Sequence, residues 1–326
     1  MECSPNPSAC YECTRPGHAR FAEDPASLAG PWRMLSLRPG EVPPEGLTDV
    51  EFSDKKWEKI TLPAELPVRE YRQEGPAVGL IPRTRKAPSA DAILGECAYF
   101  RRSFRLSADW QGRPVILRFD GAGANLQLWV NGSYVGQSGS SLLSVEFDLT
   151  PYIRSDKNCI CLRLSRTSRT DELLLPHQWV RRGIFGAMEL YSLPVQRIED
   201  VAARAEFRTD GTPQALHVAL ATRNAEGLLV RIAVMKDNRV AYYADAPVEG
   251  DVVNVRIPCP DAELWTPEQP TLYRVAVILA DDGGICHTRE IPFGFRRIQL
   301  TSQGLRLNGV PMKLYGVHYR RCNPSQ

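Results

Sequence analysis

The sequence predicts an all-β protein built from antiparallel sandwiches, and three observations support this fold class. Apolar and polar residues alternate with a period of two along many short stretches after residue 98. Asn131-Gly132 separates two of these stretches and is typical of a tight hairpin turn. No helical pattern alternates with the stretches, which argues against a doubly wound parallel sheet.

The first set of predicted strands covers 115–119, 126–130, 145–149 and 160–164. A period of two places apolar residues on one face, so we expect one buried and one wet face for each strand. In the last strand Cys161 and Arg163 fall on the wet face. Asn131-Gly132 accepts the positive φ angles of a type I′ turn at little steric cost. Asp148 and Thr150 are expected to hydrogen-bond a turn.

A second set of strands is predicted between about residues 200 and 298, in the stretches 217–220, 228–234, 252–257 and 273–278. Tight turns are predicted at 236–239 and 281–284. The size and spacing suit an immunoglobulin-like sandwich. Trp265 is expected to close the edge of this sandwich and to fix the approach of the chain to Tyr273.

The chain of 326 residues is long enough for two or three domains, and its formal net charge is only +2. This balance argues against nucleic acid or a membrane surface as a partner. No stretch is apolar enough to span a bilayer, and the N-terminus does not resemble a secretory signal. We therefore expect a cytoplasmic protein whose nine cysteines are free thiols. Cys159 and Cys161 share one face of a strand and are not expected to form a disulfide.

Four residues near the N-terminus could ligate zinc: Cys3, Cys10, Cys13 and His18. The two-residue gap between Cys10 and Cys13 is typical of zinc ligands, but a closed site needs four well-spaced ligands. A disordered N-terminal extension that happens to carry thiols is the favoured interpretation. No metal site is assigned.

Several local patterns occur in one order, and together they resemble glycoside hydrolase family 2, the β-galactosidase/β-glucuronidase family. In the first predicted sandwich they are Gly30-Pro-Trp32-Arg-Met34, Phe52-Ser-Asp54-Lys-Lys-Trp57, Leu62-Pro63, Ala98-Tyr-Phe-Arg-Arg-Ser-Phe104, Trp129-Val-Asn-Gly132 with Val135-Gly136, Phe147-Asp-Leu-Thr150 and Trp179-Val-Arg-Arg-Gly-Ile-Phe185. Further along they are Leu264-Trp-Thr-Pro-Glu-Gln-Pro270 with Leu272-Tyr273, Gly294-Phe-Arg296, Leu307-Asn-Gly309 and Lys313-Leu-Tyr-Gly-Val317. Each pattern alone is weak evidence for the family, whereas the order in which all of them occur is specific to it.

The resemblance implies four segments. Residues 1–27 would be an N-terminal extension, and 28–196 a jelly-roll, galactose-binding-like domain that binds sugar. Residues 197–298 would be the immunoglobulin-like β-sandwich. Residues 299–326 would be the first-strand region of a truncated (β/α)₈ barrel, with 313–317 as the strand itself.

The resemblance also implies hydrolysis of O-glycosyl bonds in carbohydrate metabolism. This reaction needs two carboxyl groups that flank the scissile bond. In the family both are glutamates on later barrel strands, and a complete barrel needs about 250 residues. We therefore assign no catalytic residue and no cofactor, and we expect this chain to be inactive alone.

Candidate substrate contacts are His177, Trp179, His318, Tyr319 and Arg320. His177 occupies the place, two before the Trp, where the family's β-galactosidases carry an acidic residue. An imidazole cannot reproduce a fixed negative acceptor, so galactose specificity is in doubt. The three residues from His318 follow the predicted first barrel strand, where barrel enzymes place site residues. A surface-loop role stays open for His177, a core position for Trp179, and a role without function for the three residues from His318.

Three functional hypotheses follow. The first is the N-terminal part of a family-2 glycosidase, with a β-glycoside or oligosaccharide as partner only when the full barrel is present. The second is a free-standing carbohydrate-binding module with Trp179, Tyr134 and Tyr99 as candidate platforms. The third is a structural module that complements a separate catalytic half. No nucleic acid or membrane partner is expected, and a homo-oligomer is compatible with the sequence.

Overall fold

The computed structural model describes residues 25–38, 40–65, 97–123, 125–139, 143–165 and 183–317, and strands dominate these ranges. The chain divides into two compact units, of which the first ends at Leu193 and the second begins at Pro194. Within the described ranges, no helix has the length and apolar character needed to cross a membrane.

The first unit is an antiparallel sandwich. Its described strands are β1 (Ala26–Ser27), β2 (Gly30–Leu37), β3 (Glu58–Leu62), β4 (Ala64–Glu65), β5 (Cys97–Arg105), β6 (Val115–Phe119), β7 (Ala122–Gly123), β8 (Leu126–Val130), β9 (Ser133–Ser138), β10 (Val145–Asp148), β11 (Lys157–Ser165), β12 (Gly183–Ile184) and β13 (Met188–Ser192). They form a four-stranded sheet β1-β13-β6-β10, a six-stranded sheet β3-β2-β5-β11-β8-β9 and a small sheet β4-β12-β7. Apolar residues of both larger sheets, such as Phe100, Leu117 and Leu128, share one buried core.

The hairpin between β8 and β9 confirms the predicted type I′ turn. Asn131 has a φ of 53° and Gly132 a φ of 88°, and Val130 and Ser133 are cross-strand partners. The Asn131 side chain also donates to the Tyr152 carbonyl at 2.8 Å. A Cβ atom at Gly132 would lie 2.7 Å from an Asp49 carboxylate oxygen, so the position needs glycine for space as well as for φ.

The other predicted turn contacts are also confirmed in this unit. The Asp148 carboxylate accepts a hydrogen bond from the Thr150 N–H at 2.9 Å, and the Thr150 hydroxyl accepts one from the Val115 N–H at 3.0 Å. Cys159 and Cys161 are free thiols, as expected. These contacts tie the end of β10 to the start of β6.

The prediction that each strand has one wet face is wrong for β11. Cys161 faces away from the main core, yet its exposed fraction is 0%. Leu47 and Trp57, from the irregular segment 40–57, pack with Cys161 and Tyr99 in a second apolar cluster on the outer face of the six-stranded sheet. The cover comes from residues distant in sequence, and the local alternation of β11 carries no signal for it.

The second unit is a sandwich of two sheets. Its strands are β14 (Arg197–Phe207), β15 (Pro213–Arg223), β16 (Leu229–Lys236), β17 (Arg239–Pro247), β18 (Val252–Pro258), β19 (Tyr273–Asp281) and β20 (Gly284–Phe293). The sheet orders are β14-β15-β18 and β17-β16-β19-β20. Residues such as Leu216, Ile232 and Val277 from both sheets fill one core. The turn predicted at 236–239 is present, with positive φ at Asp237 and Asn238.

Two buried side chains connect the two sheets of the second unit. The Ile198 N–H on β14 donates to His287 Nδ1 on β20 at 3.0 Å. Arg289 Nε donates to the Ile198 carbonyl at 3.1 Å. The β14–β15 register shifts between Ile198 and Asp200, so the side chains of β20 satisfy backbone groups beside a bulge.

A small three-stranded sheet follows the sandwich: β21 (Ile298–Thr301), β22 (Gly304–Leu307) and β23 (Val310–Pro311). The prediction of a strand at 313–317 is wrong, because residues 312–317 are neither strand nor helix. A barrel strand is held by hydrogen bonds from strands on both sides. No strand of the described ranges pairs with 313–317, and the side chains of Leu314, Tyr315 and Val317 are exposed.

Candidate functional site

The five candidate sugar contacts, His177, Trp179, His318, Tyr319 and Arg320, lie outside the described residues. The four candidate zinc ligands near the N-terminus also lie outside them. Within the described ranges, no group of three or more His, Cys, Asp or Glu side chains is arranged to hold a metal ion. The structure describes the residues on either side of these positions.

One end of the first unit fixes both ends of the connection that carries His177 and Trp179. This connection, 166–182, begins after Ser165 and ends before Gly183. The connection 66–96 begins after Glu65 and ends before Cys97. Ser165 is the cross-strand partner of Cys97, and Gly183 is the cross-strand partner of Glu65. The two connections therefore leave and return at paired positions of the sandwich.

The Gly-Ile-Phe-Gly run at 183–186 holds the returning chain against the β6–β7 corner. The N–H groups of Phe185 and Gly186 both donate to the Gly121 carbonyl, at 3.2 and 3.0 Å. A Cβ atom at Gly186 would lie 2.4 Å from the carbonyl carbon of Asp120, and one at Gly121 would lie 2.4 Å from the Phe185 ring. The two glycines permit a backbone approach that any side chain would block.

The same corner carries a charged group. The Asp120 carboxylate accepts hydrogen bonds from Arg118 Nε at 2.7 Å and from the Ser144 hydroxyl at 3.0 Å. Burial of Arg118 acts to lower its pKa, but the hydrogen bond and charge of Asp120, together with the charge of Glu146, outweigh burial and raise the pKa. The guanidinium stays charged and orders this corner.

The second unit contains an open groove of about 1210 Å³. It lies between the end of β14 and the segment that runs from Pro292 to Gln299. Aromatic and basic side chains line it together: Phe207, Trp265, Phe293, Arg204, Arg296, Arg297 and His217. The Arg296 guanidinium lies 5.1 Å from the centre of the Trp265 ring, in the range of a cation–π contact.

Trp265 and Asn308 fix the base of the groove. The Trp265 N–H donates to the Phe295 carbonyl at 2.8 Å, and Asn308 Nδ2 donates to the Trp265 carbonyl at 3.0 Å. Asn308 Oδ1 accepts from the Arg297 N–H at 2.9 Å. Tyr273 contacts the chain just before Trp265, because its hydroxyl accepts a hydrogen bond from the Glu263 N–H at 2.9 Å. Trp265 thus packs at the edge of the sandwich, as expected from the sequence.

Glu206 supplies the negative charge of the groove and is held by one side chain from each of two neighbouring strands. Arg256 Nε lies 2.8 Å and His217 Nε2 lies 2.7 Å from the same carboxylate oxygen. The hydrogen bond from Arg256, followed by that from His217, lowers the pKa of Glu206. This carboxylate stays ionised and is engaged in a surface network, which suits an ion pair better than a proton donor.

Exposed apolar side chains concentrate in the segment that follows the second sandwich. We call the six of them the apolar strip: Ile298, Leu300, Val310, Leu314, Tyr315 and Val317. Tyr315 and Val317 are each 92% exposed. Single exposed apolar residues are ordinary, but such a concentration is typical of an interaction surface.

Sequence reasoning missed the groove and the strip. From the sequence alone, Trp265 is expected to pack at the edge of the sandwich and Gly294-Phe-Arg296 resembles the family's entry into the barrel, so neither indicates a groove. The groove exists because the chain after Gly294 passes beside β14, and this is a long-range feature. The strip could not be predicted either, because the exposure of the apolar side chains between Ile298 and Val317 depends on how this part of the chain is placed.

Comparison with known protein families gives two adjacent matches. Residues 26–194, more than half of the chain, match a family model described as "Glycosyl hydrolases family 2, sugar binding domain". Residues 196–296 match the model described as "Glycosyl hydrolases family 2". The two matches meet where the first compact unit gives way to the second.

Curated relatives give the same result. The chain is 28% identical over 318 residues to a beta-galactosidase of Photobacterium profundum, covering 92% of this chain and 30% of the relative. It is 28% identical over 315 residues to a beta-galactosidase of Vibrio cholerae, again covering 92% of this chain and 30% of the relative. The chain thus spans less than a third of the length of these relatives.

Solved structures share the fold. A Bacteroides uniformis beta-glucuronidase matches with a TM-score of 0.70 at 21% identity, covering 90% of this chain and 35% of that one. A beta-glycosidase from Bacteroides vulgatus matches with a TM-score of 0.68 at 18% identity, covering 90% and 37%. At these identities the likeness concerns the fold alone.

Proposed function

Because the chain belongs to glycoside hydrolase family 2, we propose that it is the non-catalytic N-terminal part of a glycosidase whose second unit docks a catalytic barrel. The chain corresponds to the family's sugar-binding and immunoglobulin-like domains. The observation that carries the proposal is the apolar strip, which begins five residues after the end of β20 at Phe293 and continues to Val317.

The strip has the character of an interface. Leu300 is 85% exposed and Leu314 is 78% exposed, and burial of each of these side chains against a partner would contribute about 1.5–3 kcal/mol. The groove next to β14 adds polar and aromatic groups, with Arg296 and Trp265 among them. Aromatic residues and arginines around an apolar centre are the usual composition of a protein interface.

The proposed reaction is the hydrolysis of an O-glycosyl bond, with both carboxyl groups supplied by the barrel. The two carboxylates at the sites described above, Asp120 and Glu206, are each engaged by an arginine. They suit structural roles. The proposed contacts to the sugar are His177, Trp179 and the residues from His318 to Arg320. The connection that carries the first two would be held at Ser165, which pairs with Cys97, and at Gly183, which pairs with Glu65.

The cytoplasm is the proposed location. The cysteines of the described ranges are free thiols, and four of them are buried: Cys97, Cys159, Cys161 and Cys259. Free buried thiols are typical of proteins that function in a reducing compartment.

The test is turnover of chromogenic β-galactosides, β-glucuronides and β-mannosides. The chain alone is expected to show none. A fusion of residues 1–326 to the part of the Photobacterium profundum enzyme that follows its matched region is expected to hydrolyse at least one of these substrates, because the fusion supplies the barrel and its dock together.

A control fusion distinguishes docking through the apolar strip from the effect of the covalent connection alone. A fusion with Leu300, Tyr315 and Val317 changed to lysine keeps the linker but places charge on the strip, and we expect it to lose most of its turnover. Turnover by the unfused chain at a rate similar to that of the active fusion would refute the proposal. A correctly folded fusion that retains full turnover with the three lysines would refute the docking role of the strip.

A further inference from the structure

Four polar side chains form one row across the outer face of the six-stranded sheet in the first unit. Tyr99 on β5 is the cross-strand partner of Arg163 on β11, which in turn faces Gln127 on β8, and Gln127 faces Gln137 on β9. Arg163 Nη1 donates to Gln127 Oε1 at 2.8 Å, and Gln127 Nε2 donates to Gln137 Oε1 at 3.5 Å. The row is a continuous set of planar hydrogen-bonding groups.

An aromatic pair lies beside this row on the same face. Trp129 is two residues along β8 from Gln127 and faces Tyr134 on β9. The two rings meet edge to face, with their centres 5.3 Å apart. Trp129 is half-buried and Tyr134 is 41% exposed. The pair therefore presents aromatic surface next to exposed amide groups.

The segment 40–57 covers only part of this face. Its residues Leu47 and Trp57 pack over Tyr99 and Cys161 near the middle of the sheet, and Trp129 packs at the border of that cluster. Gln137 and Tyr134, on the edge strand β9, are exposed. Within the described ranges, the face thus has a covered half and an open half, and the aromatic pair lies at the boundary.

The chemistry of the open half favours a sugar over other ligands. Aromatic rings accept the apolar C–H face of a pyranose, while amides and a guanidinium hydrogen-bond to neighbouring hydroxyls. Arg163 is the single cation of the row, which is too little charge for a nucleic acid. Within the described ranges, Arg163 hydrogen-bonds to the neutral side chains of Gln127 and Tyr99. The row is also too polar for the apolar centre of a protein interface.

We propose that this corner of β11, β8 and β9 binds a neutral oligosaccharide. The exposed Tyr134 ring stacks against a pyranose and Trp129 contacts its edge. Gln127, Gln137 and Arg163 hydrogen-bond to its hydroxyls. The family model that spans these strands is described as a sugar-binding domain, and the row gives that description a location within the fold. The proposal is independent of barrel docking, because all five residues lie in the first unit.

The test is isothermal titration calorimetry of the full chain with lactose, cellobiose, mannobiose and xylobiose. At least one of these disaccharides is expected to bind with a millimolar Kd. Tyr134→Ala and Gln127→Ala are each expected to weaken that binding about fivefold, since each removes one aromatic or hydrogen-bond contact. Tyr243→Ala is the matched control, because Tyr243 is 74% exposed on the second unit and its loss is expected to leave Kd unchanged.

If a variant unfolds, a second measurement on the unsubstituted chain still tests the proposal. Hydrogen exchange of the unsubstituted chain with the bound disaccharide is expected to slow at amides of β8, β9 and β11. No binding of any of the four sugars would overturn the proposal. It would also fall if slowed exchange were confined to other strands, or if folded Tyr134→Ala and Gln127→Ala proteins bound the sugar as tightly as the unsubstituted chain.

Discussion

Arg101 holds the segment 40–57 against the outer face of the six-stranded sheet. Its guanidinium is 2% exposed and donates to the carbonyls of Leu47, Asp49 and Phe52. It also forms an ion pair with Asp54 at 3.3 Å. One side chain therefore satisfies three backbone acceptors of an irregular segment that has few partners of its own.

Replacement of Arg101 by Met is expected to lower the free energy of unfolding of the first unit by about 3 kcal/mol, because several buried acceptors lose their donor. Urea denaturation measures the effect. Arg105→Met is the matched control on the same strand and face, since Arg105 is 79% exposed and lies 3.9 Å from Asp156. We expect a change below about 0.5 kcal/mol for the control. Equal effects of the two substitutions would contradict the role given to Arg101.

Cys161 provides a pH-dependent prediction. Burial raises the pKa of its thiol to about 12, against an ordinary value of 9.0, although the charge of Arg101 acts in the opposite direction. Because the thiol ionises at a higher pH in the folded state than in the unfolded state, its contribution to the free energy of unfolding is fully present below pH 9.0. That contribution is lost as the pH rises from about 9 towards 12, because the unfolded chain ionises first.

We therefore expect the urea midpoint of the chain to fall as the pH rises above 9, and to fall less steeply in Cys161→Ala. In the folded protein at pH 8, iodoacetamide should modify Cys161 much more slowly than the half-buried Cys286, as measured by peptide mass spectrometry. Rapid native-state modification of Cys161 would show that the segment 40–57 does not cover this thiol.

At the scale of elements, the run 183–186 fixes β12 between β4 and β7. Gly186→Ala would place a Cβ atom 2.4 Å from the Asp120 carbonyl carbon, so the backbone must move. We expect a loss of about 1–3 kcal/mol in stability. Gly250→Ala is the control, since nothing lies within 4 Å of a Cβ atom there. Thermal melting by circular dichroism measures both variants, and an unchanged melting temperature for Gly186→Ala would contradict the close approach.

Elements with local signals could be predicted from the sequence. Period-two alternation located the strands from Val115 onwards, and Asn131-Gly132 identified its turn, because both depend on neighbouring residues alone. The cover over Cys161 could not be predicted, since it depends on Arg101 and a segment about a hundred residues away. The strand at 313–317 was predicted from the family resemblance alone. A barrel strand forms only where neighbouring strands hydrogen-bond to it, and no strand of the described ranges does so.

At the scale of the whole molecule, the ordered motifs predicted the family and both sandwich folds. The candidate sugar contacts came from motif positions and stay predictions, because His177 and its companions lie outside the described residues. The groove at Trp265 and the apolar strip could not be derived from patterns alone, since their exposure depends on how the chain after Gly294 is placed. Together they support the proposal that the second unit binds a catalytic partner.

The most direct test of that proposal is hydrogen exchange in the fusion of this chain to the part of the Photobacterium profundum beta-galactosidase that follows its matched region. Amides of the segment 298–317 are expected to exchange at least about tenfold more slowly in the fusion than in the chain alone, because docking buries the strip. Amides of β16 and β19, in the core of the second sandwich, should exchange equally in both. Unchanged exchange across 298–317 in a folded, active fusion would contradict the account.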